Sequence, residues 1–526
     1  MSEAEISGTA APEAGRRRGG GKSGRGRSSA PGGIEQKPFR QPRRIFPPVE
    51  LVSADRLEAI HDASLTILEE IGMDFLHEEA RAMLKRHGAH VEPGTERVRF
   101  DRGMITELIK TCPSEFTLHA RNPAHHLNFG GNWVIFPQVA STPNCTDLDR
   151  GRRPGNQQDF RDLVKLGQSF NIIHLTGGYP VEPVDIHASV RHLDCLSDFV
   201  KLTDKAFHCY SLGRERNLDA IEIARIGRGI SHEQLEREPS LFSIINSSSP
   251  LRLDTPMLQG IIEMSSRNQI IVMTPFTLAG AMAPVTIAGA LAQQNAEALA
   301  GIAFTQIVRP GAPVAYGGFT SNVDMKSGAP AFGTPEYMKA QMIGGQLARR
   351  YGLPYRTSNV CAANTVDAQA AYESVFSLWG AIQGGGNFIM HAAGWLEGGL
   401  SASFEKTILD VDLLQMVAEF LEPVIVDDDT LALDAVREVG PGKHYFGAAH
   451  TQARYRDAFY APILSDWRNF ETWEEAGSPT AMQKANRVWK DVLAGYEKPP
   501  LDPAIETELD AFVTRRKAEG GFKTDL

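Results

Sequence analysis

Eight short apolar segments recur along the chain, at 132–137, 172–180, 205–213, 241–250, 270–280, 312–320, 353–360 and 386–396. Each closes in small, polar or aromatic residues, and most are followed by a stretch with helical spacing. Apolar residues lie at helical intervals in Phe160-Leu163-Val164-Leu166, in Leu218-Ile221-Ile223-Ile226 and in Tyr337-Met342-Ile343-Leu347. Parallel strands need crossover connections, so eight strand–helix units predict an α/β fold, the (βα)8 TIM barrel, with all strand carboxyl ends on one face. Pro284 and Pro335 fit first helical turns, and Gly227, Gly352 and Gly384 are read as following helix ends.

A bare barrel needs roughly 250 residues, so a chain of 526 carries additional parts. Residues 1–46 hold ten Arg or Lys against four Glu, a net +6, which leaves −16 for the remainder of a chain whose total is −10. This leader has few apolar side chains to offset ordering entropy and is expected to be a disordered basic tail. Two readings stay open for it: a solvated leader, or an electrostatic contact with a polyanion such as RNA. It lacks the apolar core of a secretory signal.

Residues 47–130 are expected to form an α+β cover, with helices near 54–71, 78–87 and 102–110 and strands near 98–100, 116–118 and 126–129. Ser53 is placed to cap the first helix. The barrel is assigned to 131–420, and 421–526 to a helical extension with helices near 431–439, 480–493 and 502–516. That extension is expected to wrap the barrel or build a homo-oligomer interface. Five scattered cysteines, with no C-x-x-C pair, suit reduced thiols in a cytoplasmic protein rather than disulfides or a zinc site. The uncharged run 270–292 is broken by Pro275, Gly280, Pro284 and Gly289, so a buried strand, its loop and a helix start explain it better than a membrane span.

The strand ends carry Gln138 and Thr142, Tyr179, Tyr210 and Ser211, Asn246 and Ser247, Thr274 and Phe276, Phe319, Asn359, and finally His391, Trp395 and Glu397. This set is aromatic and amidic. Ring faces attract a quaternary ammonium and shut out water, so such a mouth suits a cation that cannot donate strong hydrogen bonds; packing of Phe276 and Phe319 into the barrel is the plain alternative. His391 ends the richest strand and is the candidate catalytic residue. Glu397 is expected to orient it, to hold the substrate cation, or to cap the helix that follows.

No G-x-G-x-x-G follows a strand, and neither G-x-x-x-x-G-K-[ST] nor H-E-x-x-H occurs, which removes support for nucleotide and simple zinc chemistry. Asp185-Ile-His187 imitates the start of the D-x-H-x-x-G pattern that ligates cobalt, but the glycine is missing. Asp185 therefore reads as a helix cap. A barrel lyase needs a Schiff-base lysine at a strand end, whereas Lys205 begins its strand. A non-catalytic quaternary-amine sensor is the other alternative.

Longer runs carry a resemblance. Leu278-Ala-Gly-Ala-Met-Ala-Pro284, Tyr316-Gly-Gly-Phe319, Ser327-Gly-Ala-Pro330 with Gly333-Thr-Pro-Glu336, Asp367-Ala-Gln-Ala-Ala-Tyr-Glu-Ser374 and His391-Ala-Ala-Gly-Trp-Leu-Glu-Gly-Gly399 are similar to the trimethylamine methyltransferase family. The resemblance spans about residue 50 onward. It implies a barrel that moves a methyl group from a methylamine or quaternary amine to the Co(I) of a corrinoid (cobalamin) carried by a separate protein. Methanogen members that demethylate trimethylamine carry pyrrolysine on the seventh strand, where this chain reads Tyr355-Arg-Thr-Ser-Asn-Val360. A quaternary ammonium releases a neutral amine without such an activator, so the resemblance implies the non-pyrrolysine branch and a glycine betaine-like substrate. Tyr179, Phe276, Phe319 and Trp395 would then hold the trimethylammonium. Arg356 or Asn246 would pair with the carboxylate, and His391 would contact the corrin or that carboxylate.

Overall fold

The computed structural model describes residues 28–29 and 34–522. Seven parallel strands form one sheet: β1 (Leu175–Thr176), β2 (Ala206–His208), β3 (Leu241–Ile245), β4 (Ile270–Met273), β5 (Val314–Gly317), β6 (Tyr355–Ser358) and β7 (Phe388–Met390). Segment 134–138 joins the two edges. Ile135 bridges Phe388 of β7, and Pro137 bridges Leu175 of β1, both in parallel. Successive groups of this segment serve opposite neighbours: Ile135 N donates to Asn387 O, and Gln138 N donates to Leu175 O. Pro137 has no N–H to give, so the eighth strand position is held by isolated bridges rather than a ladder. The barrel closes as expected from the eightfold pattern.

Two apolar cores follow from this closure. One lies between strands and surrounding helices. The other fills the barrel with Ile135, Leu175, Phe242, Val272, Phe388 and Met390, and its foot is plugged by the hairpin of strands Phe116–Leu118 and Leu127–Phe129. Phe129 lies 5.0 Å from Phe388, which in turn meets Phe242 edge-on at 5.2 Å.

Other helices of the 47–130 segment are Ala54–Thr66, extended by a wider turn to Ile71, and Glu78–Arg86 and Arg102–Lys110. Ser53 occupies the cap position of the first without a side-chain hydrogen bond. The uncharged run 270–292 resolves into β4, the strand Phe276–Ala279 and the start of helix Ile287–Val308. Among the described residues, no helix is long and apolar enough to cross a membrane.

Some local readings are corrected. Gly227 lies inside helix Arg214–Arg228, and Gly229 caps it in the left-handed conformation. A Cβ at Gly227 would come within 2.9 Å of Val200, so close helix packing accounts for that glycine. Pro284 precedes the first turn of its helix. Asp185 accepts from Gln157 N, while His187 caps helix Ala188–Leu202 through Ser189 N. Residues 34–46, grouped with the basic tail on composition, lie against the barrel: Gln36 donates to Ser169 O and accepts from Asn171 N, and Gln41 bonds Asn128 O. Most of the preceding leader lies outside the described residues.

The C-terminal helices clamp the barrel's outside. Trp489 of helix Ala481–Ala494 donates to buried Glu405, and Arg516 of helix Pro503–Ala518 pairs with Asp219. Truncating Phe388 would open the barrel core between the Phe129 and Phe242 rings. Phe388→Ala is expected to lower unfolding free energy by about 3–5 kcal/mol in urea titrations.

Candidate active site

A cavity of about 190 Å³ opens at the carboxyl ends of the strands, lined by Asn246, Phe276, Phe319, Arg356, His391 and Trp395, with His208, Tyr210, Ser141, Ile244 and Met390 also on its walls. Six of the residues expected from sequence thus come together. Tyr179 stands one layer back, its ring 4.6 Å from Tyr210, and lines a neighbouring cavity with Glu182 and Arg191. Glu397 does not reach the site; its carboxylate pairs with Arg152 at 2.8 Å.

Phe276 and Phe319 begin two strands, Phe276–Ala279 and Phe319–Val323, that pair in parallel above β4 and β5, with these residues in direct register. Their ring centroids are 5.2 Å apart. Trp395 lies 6.3 Å from Phe319 and 4.2 Å from the His391 ring. These faces form an apolar wall of negative ring quadrupoles.

Arg356 projects from β6. Its guanidinium stacks 5.2 Å from the Phe319 centroid and makes one long hydrogen bond, 3.4 Å, to Gly318 O. It is 3% exposed, Nε has no partner, and among the described residues no carboxylate lies within ion-pair distance. Burial pulls its pKa down to about 10, which leaves it charged at neutral pH. A buried, unpaired cation is costly unless a ligand anion completes it.

The histidines are neutral. Burial, with the Arg356 charge second, holds His391 well below the usual imidazole range, and burial brings His208 to about 3. His208 Nε2 accepts from Ile244 N at 3.0 Å, so its proton sits on Nδ1. That atom, His391 Nδ1 and Trp395 Nε1 all lack partners among the described residues. Lone buried polar atoms cost about 1–3 kcal/mol each when unmatched. The cavity is thus rich in unused donors and lined by no Asp or Glu.

Supporting contacts fix the walls. Asn246 donates to Thr274 O at 2.8 Å, and the loop beyond it is gathered by buried Glu297, which accepts from Ser247, Ser249 and Leu251 N. Asp410 accepts from Gly394 N and from buried Lys406, tethering the turn between His391 and Trp395. His391 and Ser141 both adopt left-handed backbone, φ 55° and 66°, a strained state for residues with a Cβ that clusters at functional sites. His208 and Ser141 were not among the sequence candidates; strict alternation through Ala206–His208 into Tyr210 places His208 on the same inward side as Tyr210. Lys205 lies at the barrel foot, donating to Gly167 O, Phe170 O and Ile173 O. No Schiff-base chemistry reaches the mouth from there.

Buried neutral histidines make stability depend on pH. The unfolded chain protonates each near 6.5, whereas folded His174 and His208 resist until about 3. The unfolded state therefore binds more protons below 6.5, and stability falls there by about 1.4 kcal/mol per pH unit for each such histidine. Urea unfolding between pH 7.5 and 5 is expected to show this slope, reduced by one histidine's share in His208→Gln.

Comparison with known proteins places the chain. Glycine betaine methyltransferase of Desulfitobacterium hafniense is 37% identical over 479 residues, covering 91% of this chain and 99% of that one. Trimethylamine methyltransferase MttB2 of Methanosarcina mazei is 28% identical over 483 residues, covering 90% and 96%. Likeness to solved structures is looser: the monomethylamine methyltransferase MtmB of Methanosarcina barkeri gives a TM-score of 0.44 at 9% identity, over 87% of this chain and 98% of that one. The family described as Trimethylamine methyltransferase (MTTB) matches residues 17–521. The chain belongs to the trimethylamine methyltransferase family and is a methyltransferase.

Proposed function

We propose that this methyltransferase takes a methyl group from a quaternary amine that also bears a carboxylate, a glycine betaine-like zwitterion, and delivers it to a corrinoid held by a separate protein. The unpaired Arg356 at the edge of an aromatic wall carries the reading. The wall of Phe276, Phe319 and Trp395 suits a trimethylammonium group, and Arg356, with the Trp395 and His208 N–H groups, suits a carboxylate. A bare amine cation would face Arg356 with nothing to neutralise it. The relative named for glycine betaine points the same way.

The corrinoid supplies the Co(I) nucleophile that accepts the methyl. Within this chain Asp185 and His187 are committed to backbone contacts, which supports a carrier on another polypeptide. Val285, Met325 and Leu400, 67%, 71% and 54% exposed on the loops beyond the strand ends, offer that partner an apolar landing. This chain's residues bind and orient: Arg356 fixes one end of the substrate, the rings hold the ammonium, and the ring-lined walls, with the corrinoid protein docked over the mouth, exclude water from a reactive nucleophile. His391, neutral and packed on Trp395, contacts the carboxylate or the docked corrin. A cytoplasmic site of action belongs to the same reading and is supported by five unpaired cysteines.

Methylcobalamin formation from photoreduced cob(I)alamin tests the reading with glycine betaine, proline betaine, carnitine, choline and trimethylamine. Turnover of a carboxylated quaternary amine is expected, and choline or trimethylamine as the preferred donor would refute it. Charge-assisted hydrogen bonds contribute about 1.5–3 kcal/mol, so Arg356→Met should raise KM for the betaine by about 10- to 100-fold while leaving choline binding unchanged or tighter. His391→Ala should lower the rate; an unchanged rate would remove its assigned role.

A further inference from the structure

We propose that residues 424–459 form an arm that packs on a second copy of this chain, against the strip made by Tyr372, Val375, Phe376, Met416 and Phe420. The arm is apolar and exposed. Val424, Val426, Phe446 and Phe459 show 86%, 73%, 79% and 83% of their surface, and just beyond it Trp467 and Phe470 show 74% and 64%.

It has almost no core of its own. Short helices Asp428–Leu431, Leu433–Val439 and Ala449–Gln452 bury only Ala435, Val439 and Ala448. Among the described residues, side-chain hydrogen bonds and ion pairs made between 424 and 459 stay inside the arm, as in Arg454 with Asp429 and Gln452 with Phe446 O. Its polar ties among the described residues are at its ends: it leaves helix Phe404–Phe420 directly and returns where Asp412 accepts from Tyr460, Ile463 N and Leu464 N, with Asp457 and Phe459 near that return lining a cavity beside Gln36, Pro38 and Gln415.

The receiving strip is equally unpartnered. Tyr372, Val375 and Phe376 share one face of helix Ala368–Gln383 at i, i+3 and i+4 spacing and are 61%, 50% and 36% exposed. Met416 and Phe420, 47% and 52% exposed, share a face of the next helix. Trp379 and Phe420, 5.0 Å apart, join the two faces into one.

Area and position select the occupant. Aromatic side chains bury roughly 150–250 Å² each, so the exposed parts of Tyr445, Phe446, Tyr455 and Phe459 together offer on the order of 400–650 Å². Concentrated on one arm with the exposed Val424, Ile425 and Val426 beside it, that area is comparable to the largest apolar patch of an ordinary monomer, about 300–600 Å², and approaches the roughly 800 Å² per partner of a stable interface. Such a surface calls for permanent cover, whereas a methyl-accepting partner must come and go. That partner must also reach the mouth. Helix Phe404–Phe420 starts beside it, with Ser403 N on Gly394 O, and ends at the opposite foot, beside Asn132 and Arg40. The arm therefore leaves from the far end. Arm and strip lie on one chain, so a two-fold axis lets each copy cover the other.

Sedimentation of the full chain at micromolar concentration tests this. Twice the 57.6 kDa chain mass, or a larger even multiple, is expected, with dimer dissociation raised at least 100-fold in Phe446→Glu/Phe459→Glu and equally in Tyr372→Glu/Phe376→Glu. A monomeric natural chain, or association that survives either variant, overturns the proposal. A photo-crosslinking residue at position 446, in two differently tagged co-expressed copies, avoids dependence on variant folding. Cross-links between copies at 372–376 or 416–420 support the exchange; links confined to one chain, or reaching only a corrinoid partner, refute it.

Discussion

Closure of the barrel by segment 134–138 is the constraint on which the rest depends. This segment hydrogen-bonds to β7 on one side and β1 on the other. Without it the sheet would be open, and the carboxyl ends of β2 and β7 would not face the same space. His208, Arg356 and His391 come from β2, β6 and the end of β7, and their meeting is a consequence of the ring. The foot is sealed by a hairpin from before the barrel, and among the described residues the barrel core meets a cavity at the mouth, where Ile244 and Met390 lie on its wall.

Electrostatics at that mouth is one-sided. A charged guanidinium, two neutral imidazoles and an indole N–H face a wall of rings, with no carboxylate among the lining residues. Acidic side chains are present nearby but are turned to structure: Glu297 gathers the loop after β3, and Asp410 with Lys406 ties the turn after β7. The protein thus spends its acids on holding the walls and leaves the cavity's positive charge to be answered by a ligand.

Much of this was legible in the chain. Apolar segments at strand–helix intervals give the barrel because only parallel strands with crossovers satisfy that alternation, and strand ends pointed to Asn246, Phe276, Phe319, His391 and Trp395, whereas Arg356 entered only as a partner for the carboxylate that the family resemblance implies. Glu397 misled because the chain reverses after Trp395. Leu396 pairs with Ser401 in a tight antiparallel turn through Gly398 and Gly399, both at positive φ, and the carboxylate swings out to Arg152. Reversals of this kind depend on long-range pairing that local spacing does not carry. His208 was hidden between Phe207 and Cys209 in a run that reads as uniformly buried. Composition likewise concealed the packing of 34–46, since a few residues such as Gln36, Phe39 and Gln41 dock a segment that is otherwise basic and poor in apolar side chains.

The paired strands that carry Phe276 and Phe319 stand outside the closed ring and pair with each other, whereas Arg356 sits on a ring strand paired on both sides. These two halves of the pocket therefore differ in evolutionary freedom. The aromatic half is free to drift in size and shape, admitting bulkier or cyclic ammonium groups, without disturbing the barrel. The anion-binding half is locked to the fold's register, so relatives that diversify along this lineage should change what surrounds the nitrogen long before they abandon the acid group.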